Sequence, residues 1–354
     1  MILVVNAGSS SIKVELFDLG LTSILEGKVT EIGGDARIKL GKRAEAIAAP
    51  DHKAGFGAIL DTLEAHGHPV TGLTAAAHRI VHGGADLTDP VHLSAKTLTQ
   101  IEQFNTLAPL HNPHNLSAIR ALAELMPDLP QYASFDTAFH AGNDALATTY
   151  AIPASERAKG IRRYGFHGLS YASLVENLGP DLPRRLLALH LGNGSSLCAI
   201  VEGRSVANSM GYSPLDGLVM GTRPGEVDGM AVLRIAEDYG FDEATRLLNK
   251  ESGLKGLGGT NDMAALLASD SETARFAVDH YCYWAARQAG SAIVAMGGVD
   301  AVAFTGGIGE NAAPVREQIM GHLSFLGDIP VHVIPADEER QIARDALRLI
   351  NAGK

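Results

Sequence analysis

The chain opens on Ile2-Leu3-Val4-Val5, a short run of apolar, mostly β-branched residues. After Asn6-Ala7-Gly8-Ser9-Ser10-Ser11 it resumes as Ile12-Lys13-Val14-Glu15-Leu16-Phe17, where apolar and polar positions alternate. A continuous apolar run fits a strand buried on both faces, and alternation fits a half-buried one, so the pattern predicts strand, tight turn, strand. The same grammar returns mid-chain: Leu186 to Leu191 is apolar but for His190, Gly192-Asn193-Gly194-Ser195-Ser196 is the turn, and Leu197 to Val201 leaves it. The recurrence suggests two related halves. A third apolar strand, Val299 to Phe304, runs into the glycine-rich stretch Thr305 to Asn311, with a helix expected to start near Asn311 and Pro314 in its first turn. Helical spacing of apolar residues marks Asp228–Tyr239, Thr273–Met296 and Asp337–Ile350. Asn112-Pro113 reads as an N-cap with proline at the first helical position, leading to about Met126. Strands and helices alternate, which makes the class α/β.

Length and charge narrow the picture. At 354 residues the chain exceeds what one core usually supports, so two domains are the default. A formal net charge of -11 argues against a nucleic-acid partner but leaves room for a small anion held by a local positive cluster. The two cysteines, Cys198 and Cys282, make no disulfide framework and suit a reducing compartment. The N-terminal residues carry no basic leader, and the most apolar stretch, Ala285 to Phe304, is interrupted by Arg287, Gln288 and Asp300. These features predict a cytoplasmic protein without a membrane partner.

A turn of Gly, Asn and Ser between two strands presents consecutive backbone N–H groups and hydroxyls, a concave donor array suited to phosphate oxygens. A plain hairpin uses the same residues. Two such turns plus the late Gly306-Gly307-Ile308-Gly309-Glu310 segment favour a nucleotide cleft between two halves. The P-loop motif, the nucleophile elbow and the protein-kinase signature set are absent from the sequence.

Among charged residues, Arg79 precedes the Gly83-Gly84 pair and Arg223 lies in Met220-Gly221-Thr222-Arg223-Pro224-Gly225. Arginine among small loop residues can hold a carboxylate or phosphate in bidentate fashion, although a surface or ion-paired arginine is the alternative for each. Asp136 ends the run Tyr132-Ala133-Ser134-Phe135, where α/β folds place active sites; it could equally cap a helix. Of the 14 histidines, the pairs His111/His114 and His78/His82 lack a third ligand at a metal-site spacing. His167, near Arg162 and Arg163 and beside Gly165 and Gly168, suits a phosphoryl oxygen, or else a structural hydrogen bond.

Together these segments resemble the acetate kinases, within the superfamily that also holds sugar kinases and actin. The resemblance runs from Met1 to about Leu349 and is carried by Asn6–Lys13, His78–Gly84, Ala108–Pro113, Phe135–His140, Arg162–Gly168, His190–Ser196, Ser209–Arg223, Phe304–Asn311 and Asp337–Ala343. It implies reversible transfer of the γ-phosphoryl group of ATP to acetate, giving acetyl phosphate and ADP, directly and in line. It implies Mg²⁺, or Mn²⁺ in its place, and a homodimer. By the same resemblance Arg79, Arg223, Asp136, His167 and His111 are catalytic. Asn6 and Glu338 serve the metal, with Glu339 as the adjacent rival. Lys13, His190, Leu191, Gly192, Asn193, Gly194, Asp262, Gly307, Ile308, Gly309, Glu310 and Asn311 bind nucleotide. Val81, Leu110, Phe166 and Pro214 surround the acetate methyl, with Arg79 on the carboxylate.

The implied fold is two actin-like, ribonuclease H-like domains with mixed sheets and an interdomain nucleotide cleft. Residues 1–136 plus 337–354 form one domain and residues 137–336 the other. The sequence departs from the family pattern at several places. An arginine usual in a nucleotide-contacting loop is Ala264, a Thr and a His are Leu169 and Tyr171, and Pro224 and Glu226 replace a usual Ser and Asp. The acceptor could also be propionate or another short carboxylate. A reading of another class is an actin-like, nucleotide-dependent assembly protein with no acyl-phosphate chemistry.

Overall fold

The computed structural model describes residues 1–353, and the chain divides into two compact units, Met1–Ala138 with the C-terminal segment from Asp337, and Phe139–Ala336. In the first unit the opening apolar run forms β1 (Ile2–Ala7), antiparallel to β2 (Ile12–Phe17). Then come β3 (Ser23–Thr30), β4 (Arg37–Leu40), β5 (Arg43–Ala46), β6 (Ala75–Ile80), β7 (Val91–His92) and β8 (Gln131–Phe135). They make one sheet in the order β5-β4-β3-β2-β1-β6-β8-β7. Strands β1, β6 and β8 are parallel, and β2 and β3 antiparallel. β1 and β8 are buried almost throughout, which is why their sequences do not alternate.

Three helices matter for this unit: α1 (His52–Ala65), capped by Asp51; α2 (Ala95–Gln103), closed by a Ser94/Thr97 capping box; and α3 (Asn112–Leu125). α1 and α3 pack their apolar faces on β1, β2 and β4. The helix Glu338–Asn351 rejoins the unit, burying Gln341, Ile342, Ala343, Asp345 and Ala346. Its first turn carries Glu338 and Glu339 and its last turn Arg348, each at the end of the helix dipole that favours its charge.

The second unit has the sheet β11-β10-β9-β12-β13, with β9 (Arg185–Leu191), β10 (Ser195–Val201), β11 (Arg204–Asn208), β12 (Ala301–Thr305) and β13 (Val331–Val333). β9, β12 and β13 are parallel, β10 and β11 antiparallel. This is the order and direction of β3-β2-β1-β6-β8 in the first unit, so the two halves are related as the repeated strand–turn–strand grammar suggests, in the ribonuclease H-like arrangement that the resemblance implies. The long helix Glu272–Met296, capped by Ser271 and ended by left-handed Gly297, lays an alanine-rich face on this sheet. Tyr281 is in that core, whereas Tyr283 is half-exposed.

One local expectation needs correction. Asn112 does not cap α3; the cap position is His111, and Asn112 and Pro113 are the first residues of the helix. The reason is that the Asn112 amide is engaged elsewhere, accepting from the His82 N–H at 3.1 Å and donating to the His82 carbonyl at 2.9 Å. After β12, the helix Ala313–His322 carries Pro314 in its first turn, as expected near Asn311, and Gly306–Asn311 before it is a short helix of its own. Gly306 begins it at φ 78°, a left-handed conformation glycine adopts readily.

Candidate functional site

In the first unit β6 and β8 are parallel neighbours, and their C-terminal ends bring Arg79 and Asp136 together. Arg79 donates from Nε to Asp136 Oδ1 at 3.0 Å and from Nη2 to Oδ2 at 2.6 Å. Asp136 is buried and caps no helix of its own; its own N–H bonds the Ile80 carbonyl. Glu338 Oε2 lies 3.8 Å from Arg79 Nε. Burial disfavours charge on Arg79, but the neighbouring carboxylates of Asp136 and Glu338 outweigh it and hold the guanidinium above its ordinary value. Burial pushes the Glu338 carboxyl up to about 7, with Arg79 opposing and Asp136 and Glu339 adding. Glu339 instead takes the Lys13 ammonium at 2.6 Å, and Lys13 stands directly opposite Asn6 in the β1–β2 register. The two adjacent glutamates therefore face different cations.

The loop after β6 is pinned from the start of α3. Besides the Asn112 bonds to His82, Asn115 donates to the Ala7 carbonyl at 2.7 Å and its Oδ1 is 3.4 Å from the Val81 N–H. Gly83 leaves no space for a Cβ, which would fall 2.3 Å from the Leu87 carbonyl oxygen. Val81 is half-buried, while Leu110 and His111 are exposed. His78 and His82 are buried, and burial pulls both down to about 4, so they are neutral near pH 7. His78 Nε2 bonds Gln131 at 2.7 Å, a structural role.

In the second unit a different set converges on the three-residue turn Gly192–Gly194 between β9 and β10. His167 precedes the helix Gly168–Leu178 at φ 57°, and its Nδ1 is 2.9 Å from Ser196 Oγ. His190 Nδ1 is 2.8 Å from Ser170 Oγ, and the two imidazole rings lie 4.2 Å apart. A Cβ on Gly194 would sit 2.8 Å from Arg223 Nη2 and 3.1 Å from His167 Nε2, so the glycine lets a guanidinium and an imidazole close over the turn. Arg223 donates to the Pro214 carbonyl, and no carboxylate among the described residues is within ion-pair distance of it. Burial depresses it below its ordinary value, the mark of a cation that lacks a counter-charge. Asn193 is tied down through Asn261, which donates to its Oδ1 at 3.1 Å, and Asp262 caps the short helix Met263–Leu267.

Phe166 is buried, with its carbonyl bonded to His140, and Pro214 is half-buried. Leu191 and Gly309 are buried, Ile308 is half-buried, and Gly307 is exposed. Glu310 accepts from the Ala336 N–H, and Asn311 folds back on Gly307. Sequence reading missed the roles of Asn112, Asn115 and Ser170, and it read the Ser196 hydroxyl as a phosphate donor where the structure bonds it to His167 and Tyr171. The first two occupy one face of a helical turn at i, i+3, a spacing that could have flagged them; the serines are marked only by the turns they adjoin.

The acetokinase family model matches residues 1–347. The chain belongs to the acetokinase family. An acetate kinase from Nitrobacter hamburgensis is 41% identical over 391 aligned positions, covering 99% of this chain and 96% of that protein. Among solved structures, the acetate kinase of Porphyromonas gingivalis superposes with a TM-score of 0.91 at 32% identity, covering 99% of both chains. A propionate kinase from Francisella tularensis gives 0.93 at 34% identity, covering 97% of this chain and 98% of that one. Membership in the acetokinase family makes the protein an ATP-dependent carboxylate kinase, a phosphotransferase, and sets aside a pure assembly role.

Proposed function

We propose that this enzyme transfers the γ-phosphoryl group of ATP reversibly to acetate. The observation that carries this reading is Arg223, a half-buried guanidinium without a carboxylate partner among the described residues, packed beside His167 over Gly194. A cation left without a counter-charge in the protein is suited to one that the substrates bring. Acetate is already ionised at neutral pH, so the nucleophile needs no general base. The obstacle is the approach of one anion to another, and opposing charge and alignment supply most of the catalysis in phosphoryl transfer.

In this reading Arg79 and Arg223 receive the carboxylate and the transferring phosphoryl group. Asp136 fixes the orientation of Arg79 through the bidentate pair. His167 donates to the equatorial oxygens, and His111 acts from the loop beside Leu110. Lys13, the turn His190–Gly194 and the segment Gly307–Asn311, with Asp262, are the proposed nucleotide contacts. Val81, Leu110, Phe166 and Pro214 are the proposed limits on acyl size.

The donor set near Arg79 fits a hard divalent ion. Asp136 is paired with Arg79 and Glu339 with Lys13, so Glu338 is the carboxylate that would hold the ion, with the Asn6 amide, which shares the β1–β2 register with Lys13, as the second proposed ligand. Mg²⁺ characteristically takes one or two carboxylates and completes its shell with water and phosphate oxygens, so a closed protein cage is not required. Glu338 is the proposed ligand over Glu339, whose carboxylate is committed to Lys13. When bound, Mg²⁺ or Mn²⁺ would neutralise phosphate charge.

The decisive measurement is hydroxamate-trapped acyl phosphate formed from ATP, Mg²⁺ and a series of acids. A higher kcat/KM for acetate than for propionate supports the reading, and no acyl phosphate from any acid overturns it. Propionate is the second reading, favoured by the similarity to a propionate kinase; one methylene is worth about 1–3 kcal/mol, so the preference is a matter of degree. Transfer is direct: chiral thiophosphate should show inversion at phosphorus, and retention would require a phosphorylated intermediate. The protein is a homodimer in this reading. The helix Gly229–Tyr239 buries none of its residues, and Met230, Leu233, Tyr239, Phe241 and Phe276 leave apolar surface exposed in the same unit. Light scattering reads the mass directly.

A further inference from the structure

We infer that Ser196 and Tyr171 are positioning residues that hold His167 as the neutral imidazole with its proton on Nε2. That nitrogen is then presented as a hydrogen-bond donor beside Arg223. The inference rests on the reading in which His167 meets the transferring phosphoryl group, and it adds what fixes the imidazole for that task.

Three polar atoms form a chain. Tyr171 Oη is 2.5 Å from Ser196 Oγ, and Ser196 Oγ is 2.9 Å from His167 Nδ1. Tyr171 and Ser196 are both fully buried. A serine hydroxyl has one proton to give, and here it stands between a phenol and an imidazole. A phenol is the stronger acid and the weaker acceptor of the two hydroxyls, so Tyr171 donates to Ser196. The serine proton is thereby directed at Nδ1, the better base. An imidazole that accepts at Nδ1 and is neutral carries its proton at Nε2.

The surroundings keep this geometry in place. The Tyr171 ring stacks with Phe139 at 6.4 Å and meets His140 edge-on at 5.8 Å. His167 sits in the left-handed region at φ 57°, where a non-glycine residue persists only if its surroundings hold it. The neighbouring residue Ser170 reaches His190 in the same manner. Two consecutive residues of one helical turn thus serve two neighbouring, mutually tilted imidazoles, Ser170 directly and Tyr171 through Ser196. Nε2 of His167 lies against Gly194 next to Arg223 Nη2, where a donated proton and a guanidinium can act on one oxyanion.

The test reads the tautomer without turnover. In ¹⁵N-labelled full-length protein, long-range ¹⁵N–¹H correlations should show His167 with an acceptor Nδ1 and a protonated Nε2, the signal being assigned by its loss in His167→Gln. In Tyr171→Phe, which keeps the ring packing, the Nε2-protonated form should give way to a mixture. The kcat for acetate should fall about fivefold, the size of one neutral hydrogen bond, while KM for acetate and ATP stays within twofold. Ser196→Ala should show at least the same change. Should Ser196→Ala fail to fold, Tyr171→Phe still decides. A proton found on Nδ1 in the unaltered protein overturns the inference. So does an unchanged tautomer in Tyr171→Phe, with or without lost activity. A protein that shows the Nε2 proton yet forms no acyl phosphate would instead sink the acetate reading.

Discussion

Arg79 grips Asp136 through two parallel hydrogen bonds, 3.0 Å and 2.6 Å long, across the ends of adjacent parallel strands. Fork-to-fork pairing fixes the plane of a guanidinium as well as its place. It leaves Arg79 oriented before any substrate arrives.

Removing the carboxylate should therefore be felt twice. Asp136→Ala leaves a largely enclosed guanidinium with no hydrogen-bonded carboxylate, only the more distant Glu338 and Glu339. A loss of about 3 kcal/mol is expected in urea unfolding, the lower end for breaking a buried pair because the Arg79 side chain keeps 21% exposure. Turnover should fall by about 10²-fold or more, the usual scale for losing a placed electrostatic group. Additive effects in the Arg79→Met, Asp136→Ala cycle would contradict the coupling.

Arg223 has the opposite character, since no carboxylate among the described residues is within ion-pair distance of it. Arg223→Leu should remove an unfavourably buried charge and leave the melting temperature unchanged or higher. It should lower kcat by about 10²–10³-fold while KM for ATP moves by only a few-fold. Wild-type turnover in that variant would take Arg223 out of the mechanism.

Gly194→Ala separates packing from chemistry. The glycine has no positive φ, so its backbone accepts alanine, and the collisions are with the far ends of Arg223 and His167. Both side chains can swing aside at little cost in stability. Melting should barely change while kcat falls at least about tenfold, since misplacement of about 1 Å can cost 10²-fold. Full activity would show that the two groups do not act from over this turn.

Asp345 gives a pH signature. Burial pushes its carboxyl up to about 6, despite bonds from the Ser134 hydroxyl and Gln341. The folded protein holds this proton more tightly than the unfolded chain does, so stability falls as pH rises from about 4 to about 6 and stays lowered above that. The ceiling is about 3 kcal/mol for a gap of about two pH units. Asp345→Asn should be more stable than the unaltered protein by about 1–2 kcal/mol at pH 7, with the difference gone near pH 4. Urea melts at pH 4, 5.5 and 7 check this. A variant weaker at pH 7 would mean that the charged carboxylate is needed.

Much of the fold was legible because burial leaves a period in the sequence. Ile2–Val5 and Leu186–Leu189 are apolar without alternation because both faces of those central strands are covered, and the glycine turns beside them revealed the duplication. Local rules misled where a side chain works at long range. Asn112 has the residue type of a cap, but its amide serves His82, 30 positions earlier. Gly306–Asn311 forms a short helix that no apolar period announces, while the helix after it was marked by Pro314. The site divides in the same way. Arg79, Asp136, His167 and Arg223 stand beside glycines or at strand ends and could be singled out. Ser196 and Tyr171 are an ordinary serine and tyrosine until folding sets their hydroxyls 2.5 Å apart. The division of labour between Glu338 and Glu339 was invisible as well, because it depends on which way a helix faces.

Ser134 and Asp345 bond each other across 211 positions of chain, and Lys13 and Glu339 across 326. The unit that begins with the first strand thus cannot close until the ribosome has released the helix Glu338–Asn351, whereas the unit spanning Phe139–Ala336 is contiguous. During synthesis the later-encoded half can mature first, leaving the earlier one waiting for its last helix. A nascent chain stalled before residue 337 should resist protease across the contiguous half and be cut in the sheet made first.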